Sequence, residues 1–137
     1  MKATALLALV TVGLLTSSSG CRKDVGASPA SALTSGRLIK LETTIDDAGQ
    51  NPRPRWLIDV APMSLAGYLG ALYQQAKTFT LPAGAAYHVG QTIPFRYQLV
   101  PYAQQTPWKA GYERSVFSAM APGATALPEI TLTDVSK

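Results

Sequence analysis

The feature that most limits the fold is the alternation along Thr92–Pro101. Ile93, Phe95, Tyr97 and Leu99 fall on one side of an extended chain, with Thr92, Arg96 and Gln98 on the other. Successive side chains of a strand point to opposite faces. Strict alternation over this length predicts a half-buried antiparallel strand, with Phe95 and Leu99 in the core and Arg96 and Gln98 facing away. Pro94 cannot donate to a ladder, so it points to an edge or a bulge near the start of this strand.

The remaining segments fit the same class. Arg37–Thr44 reads as a strand with Ile39 and Leu41 on one face and Lys40 and Glu42 on the other. A turn-rich loop, Asp46–Pro52, leads to a second strand in which Trp56, Ile58 and Val60 share the core face, and Pro62 ends it. Ser64–Gln75 is ambiguous, because Leu65, Tyr68, Leu69 and Leu72 recur at helical spacing. Gly67 and Gly70 would each cost a helix interior roughly 1 kcal/mol relative to Ala, which favours a strand with glycines at a bend. Phe79 and Leu81 lead into the turn Pro82-Ala83-Gly84. Tyr102–Tyr112 is a loop, Arg114–Met120 a further strand, and Glu129–Val135 the last, with Ile130 and Leu132 inward. About six short strands between Gly/Pro turns predict an all-β domain over residues 36–137, a small antiparallel barrel or a sandwich.

The start of the chain has a different character. Lys2 supplies a short positive region, Ala3–Leu15 is apolar and uncharged, and Thr16–Gly20 is small and polar. That is the layout of a secretory signal. A membrane-spanning helix needs roughly 20 apolar residues, more than this run provides. The single cysteine, Cys21, follows Ser18-Ser19-Gly20 directly. This junction resembles the lipobox of bacterial lipoproteins, although the family usually has Leu where Ser18 stands. The resemblance implies cleavage before Cys21, a diacylglyceryl group on its thiol and acylation of the new amine. The alternative is an ordinary signal ahead of a free thiol, a liability in an oxidising compartment. Each buried CH₂ contributes roughly 0.8 kcal/mol, so several chains on Cys21 would hold the protein firmly to a membrane. Arg22 stands where lipoproteins retained at the inner membrane carry Asp, so the resemblance points to the outer membrane, on its periplasmic or its surface side. Arg22-Lys23-Asp24 also looks like the charged start of some surface-displayed lipoproteins.

The expected organisation is therefore a signal peptide over residues 1–20, a lipid-anchored tether over 21–35 and the β domain. Val25–Ser35 is Gly, Ala, Ser, Pro and Thr around one Leu, too little apolar surface to dock. Losing Lys2 lowers the formal charge from +4 to +3, with no dense basic patch of the kind nucleic acid requires. One cysteine excludes an internal disulfide. The segment order, the strand Val89–Tyr97 and the ending Pro128–Val135 resemble small envelope lipoproteins with an oligonucleotide/oligosaccharide-binding-like barrel. Most members of that group have no assigned function, and a shared barrel does not imply a shared ligand.

Chemistry is sparse. His88 is the only histidine, no Gly-x-Ser-x-Gly elbow surrounds any serine, and a loop or surface role suits Ala85–Val89. One His and one Cys do not make a usual zinc set. Asp46-Asp47 lacks calcium-loop spacing and fits a turn that bonds its own backbone. Glu42, Asp59, Glu113, Glu129 and Asp134 are available to a dispersed carboxylate pair, the basis of a less favoured small-hydrolase reading. No phosphate-cradling glycine loop is present, and no cofactor or metal is expected. Aromatics are the suggestive feature. Trp56 reads as core. Tyr102, Trp108, Lys109 and Tyr112 gather in one loop and form the candidate contact surface, with the alternative that Trp108 caps a barrel end. The expected function is a non-catalytic, membrane-anchored binding module for a protein or saccharide partner. The runner-up is an assembly accessory of an outer-membrane complex.

Overall fold

The computed structural model describes residues 32–114 and 124–136. Eight strands make it an all-β structure: β1 (Thr34–Ile45), β2 (Arg53–Asp59), β3 (Leu65–Ala66), β4 (Leu72–Tyr73), β5 (Gln75–Thr78), β6 (Thr92–Leu99), β7 (Lys109–Ala110) and β8 (Ile130–Thr133). Five of them run in the order β5-β2-β1-β6-β8, β7 adds to β1, and every pairing is antiparallel. The two ends of this sheet approach each other. Lys77 and Glu129 form a parallel bridge, the Lys77 amide donates to Pro128 O at 2.9 Å, and the Leu132 amide donates to Thr80 Oγ1 at 3.0 Å. The sheet is thus curled towards a small barrel.

β1 makes the curl possible. Thr34–Arg37 pairs with β6, Arg37–Thr44 with β2, and Thr44–Ile45 with β7. A register shift between Leu38 and Lys40 bends the strand between these partners, as bulges do. Gly36 sits where β1, β2 and β6 meet. A Cβ there would lie 2.6 Å from Ile58 Cγ2 and 2.9 Å from Asp59 O, so only glycine fits.

The apolar core lies on one face of the sheet, from Leu38, Trp56, Ile58, Val60, Ala76, Leu81, Ile93, Phe95, Ile130 and Leu132. Trp56 Nε1 donates to Pro82 O at 3.3 Å, which satisfies the buried indole. The expected core positions Trp56, Ile58, Val60, Phe95, Ile130 and Leu132 are all buried. Pro94 pairs with Ser35 of β1, while β8 joins β6 only from Arg96 onward. The proline therefore sits outside the β6–β8 ladder, where its carbonyl accepts the Ser136 amide at 3.2 Å.

Several expectations need correction. Leu99, the last residue of β6, is 36% exposed although it pairs with the buried Ile130 of β8. Beyond the bulge of β1, Glu42 is buried and Leu41 is the exposed neighbour, since the face carrying Glu42 is covered by a later segment. Ser64–Gln75 is a hairpin: β3 and β4 flank a 3₁₀ turn at Tyr68–Gly70, in which Leu69 has φ 53°. β5 lacks an alternating apolar pattern and was not expected as a strand. Thr34 and Ser35, expected as part of a tether, belong to β1; residues 21–31 lie outside the described residues. Arg114 closes a 3₁₀ turn, and the strand expected after it falls outside the described residues.

Candidate binding site on the loop-covered face

Strand alternation places Arg55 and Leu57 on the face opposite Trp56 and Ile58. Their cross-strand partners share that face: Glu42 opposite Arg55, and Lys77 opposite Leu57. This second face is buried too, beneath the long connection from β6 to β8. It carries two buried cations, Arg55 and Lys77, in different circumstances.

Arg55 is fully buried and bonded to two carboxylates. Its Nε donates to Glu42 Oε2 at 3.1 Å, and its Nη2 bonds the same oxygen and Glu113 Oε2, the latter at 2.8 Å. Glu113 Oε2 also accepts the Ala110 amide at 2.7 Å. Tyr112 OH donates to Glu42 Oε1 at 2.7 Å, and Lys40 Nζ lies 2.8 Å from that oxygen. Burial disfavours the guanidinium charge, but its hydrogen bonds to Glu42 and Glu113, with their negative charge, outweigh it and hold Arg55 charged beyond its ordinary range. Burial likewise pushes Glu42 up, yet bonds from Lys40, Arg55 and Tyr112 leave its carboxyl below the usual range. Burial and the bond to Glu42 push the Tyr112 hydroxyl up to about 12. The cluster fastens Lys109–Arg114 onto the sheet. Arg114 extends the fastening, donating to Asp46 O at 2.9 Å and Asp47 O at 3.2 Å. Asp46 Oδ1 accepts the Gln50 amide at 2.7 Å, the self-bonded turn expected of this loop.

Lys77 has far less support. It is 3% exposed, and its Nζ donates to Thr125 O at 3.2 Å. Glu129, beside it in the parallel bridge, spends its oxygens on Thr106, accepting the amide and the hydroxyl at 2.7 Å each. Burial pushes the Lys77 ammonium down to about 8; Glu129 and Glu113 pull it back, and the like charge of Arg55 opposes them. Lys77 lines a pocket of about 180 Å³, together with Tyr102, Gln105, Thr106, Pro107, Lys109 and Thr125, the residue whose carbonyl its amine holds. An ammonium has three donors. Among the described residues one is used, which leaves two for a molecule in the pocket.

The four loop residues divide. Tyr102 and Lys109 line the pocket. Trp108 is half-buried against the Arg53 guanidinium, 5.2 Å from its ring centre, and Arg53 also covers Phe79 at 5.1 Å. It is outside the apolar core cluster and does not cap it. Tyr112 is tied into the Arg55 cluster. Glu42 and Glu113 do converge, but on Arg55 between them. His88 is exposed on a loop, and among the described residues no three His, Cys, Asp or Glu gather as metal ligands. Lys77 is the residue that sequence reasoning missed. Its one signal is a lysine between Ala76 and Thr78-Phe79, with no acid in the run to pair with it.

Comparison with protein-family models, with curated proteins and with solved structures gives no match.

Proposed function

We propose that the chain is a lipid-anchored, non-catalytic binding module of the bacterial outer membrane, and that its ligand enters the pocket under the Tyr102–Lys109 segment. The lipobox-like junction at Cys21 supports the anchor. The sheet order supports an oligonucleotide/oligosaccharide-binding-like barrel. β1, β2, β5, β6 and β8 are its five strands, and their ends meet in a partly open seam. In such barrels the face of the second and third strands, with the loops after the first and fourth, takes the ligand. Lys77 lies on the third of these strands, and Tyr102 and Lys109 on the loop after the fourth.

The observation that carries the reading is a buried amine with unused donors opening on a pocket walled by an aromatic ring and a second amine. The test is capture of envelope components by the membrane-anchored protein. Tyr102→Ala and Lys109→Gln are expected to lose the partner with the melting curve unchanged, and retained capture by both would contradict the reading. Cys21→Ser is expected to yield an uncut or soluble precursor, and an unmodified thiol on mature Cys21 by mass spectrometry would refute the anchor.

A second reading, an accessory subunit of a larger complex, is favoured by the β3–β4 hairpin. Its tip exposes Leu69 by 86% and Leu72 by 72%. Its base is fixed by the Tyr68 amide on Ala126 O at 3.0 Å and by the contact of Tyr68 with the Tyr102 ring at 5.3 Å. Leu69→Asp separates the two readings, because it abolishes capture only if the hairpin carries the partner.

A further inference from the structure

We infer that the Lys77 pocket takes a single acidic sugar unit, with Lys77 and Lys109 on its carboxylate and the Tyr102 ring against its apolar face. This inference rests on the binding-module reading and names the ligand class for that site.

The first argument is charge. A buried ammonium is costly unless hydrogen bonds and an opposite charge surround it. Lys77 has one bond to a backbone carbonyl, while Glu129, its partner in the parallel bridge, is held by Thr106. An oxyanion in the pocket would supply the missing partner, and charge-assisted bonds of this kind are the strong ones. Lys109, half-buried on the same pocket wall, brings a second ammonium to the same group.

Shape and wall chemistry are the second argument. A pocket of about 180 Å³ suits one small ring rather than a polymer segment or a bare ion. Tyr102 is exposed, and its ring lies 5.3 Å from that of Tyr68, centre to centre and tilted by 45°. An aromatic ring on a pocket wall offers the apolar face that a pyranose stacks on. Gln105 and Thr125 add polar residues to the lining. A phosphate ion would use the lysines and leave the aromatic wall idle.

Binding should fall with rising pH, because only the protonated amine holds the anion. The groups facing Lys77 are Glu129 and Glu113, which favour its charge, Arg55, which opposes it, and Lys109 and Tyr102 on the pocket wall. With the free amine titrating at about 8, the protonated fraction drops about tenfold from pH 7 to pH 9.

The experiment is an NMR titration of the full mature chain in detergent micelles with glucuronate, glucose and inorganic phosphate. Glucuronate is expected to shift the Lys77 Nζ, Thr106 and Thr125 signals at pH 7, with affinity about tenfold lower at pH 9. Glucose is expected to bind at least about tenfold more weakly. Lys77→Met is expected to abolish glucuronate binding. Lys109→Gln, a change at the pocket wall that leaves the buried lysine in place, is expected to weaken it about tenfold. Equal affinity for glucose, unaltered binding in Lys109→Gln, or no shift with any probe overturns the inference. Phosphate binding as tightly as glucuronate removes the sugar from it. Capture of an envelope partner by the same protein, lost in Tyr102→Ala, would leave the binding-module reading standing even then.

Discussion

Arg55 and Lys77 are two buried cations on one face of one sheet, held on neighbouring strands, and they meet opposite fates. Arg55 is met by two carboxylates that are themselves hydrogen-bonded, and its charge is stabilised beyond the ordinary range. Lys77 is met by a carbonyl oxygen, and its charge is disfavoured. The planar fork of arginine matches two carboxylates at once, whereas the ammonium of lysine is a strongly hydrated point charge that loses more on burial. The contrast separates a fastening from a site. The Arg55 cluster pairs its cation with two carboxylates and holds a loop in place, even with Glu113 Oε1 buried without a partner, while Lys77 has a carbonyl but no carboxylate bonded to its amine and lines a pocket.

The largest effect expected from this contrast is at Arg55. Arg55→Met strands Glu42 and Glu113 in a dry environment and should destabilise by about 3–5 kcal/mol in a urea melt, as breaking one side of a buried pair does. A small loss would mean that the cluster is wet. Lys77→Met should act in the opposite direction and stabilise by roughly 2–3 kcal/mol at pH 7. The folded-state value of Lys77 is depressed from 10.5 to about 8, so the unfolded chain binds the extra proton between those values. Wild-type stability therefore rises with pH across that window relative to Lys77→Met, and the gap between the two proteins should close by about pH 10.5. A gap that widens with pH would reverse the assignment. Tyr112→Phe, which deletes one bond to the charged Glu42, should cost about 1.5 kcal/mol by the same melt. The smallest change is expected for Trp108→Ala. Its ring rests on Arg53 outside the apolar core, and such contacts are worth about 1 kcal/mol. A loss near 4 kcal/mol would make Trp108 a buried plug instead.

The apolar side of this molecule was legible because alternation reports burial directly. Ile93 and Phe95, Trp56 and Ile58, and Ile130 and Leu132 all face the core. The second face was not legible, because what buries it comes from far along the chain. Glu42 and Arg55 look like solvated strand residues until Glu113 is laid over them. Lys77 looks like the polar side of a short segment until Thr106 and Thr125 cover it. A bulge adds to the problem: across the register shift after Leu38 the face of Trp56 and Ile58 passes from Leu38 to Leu41, and no pattern of residue types announces it. The loop residues Tyr102 and Lys109 could be picked out by composition, since aromatic and basic side chains on a loop suit contact. Their meeting with a lysine from a strand some 25 positions earlier could not, because it depends on the curl that brings β5 beside β8.

The most direct test of the account is the protonation of Lys77 itself. A selectively labelled lysine Nζ or Cε signal, assigned through Lys77→Met and followed from pH 6 to pH 11 in the ligand-free protein, reads the charge in its own environment. The account predicts a midpoint near 8, from a burial that Glu129 and Glu113 do not compensate. A midpoint at or above the ordinary lysine value of about 10.4 would show an ammonium as well satisfied as the Arg55 guanidinium, and the pocket would lose its claim to an anion.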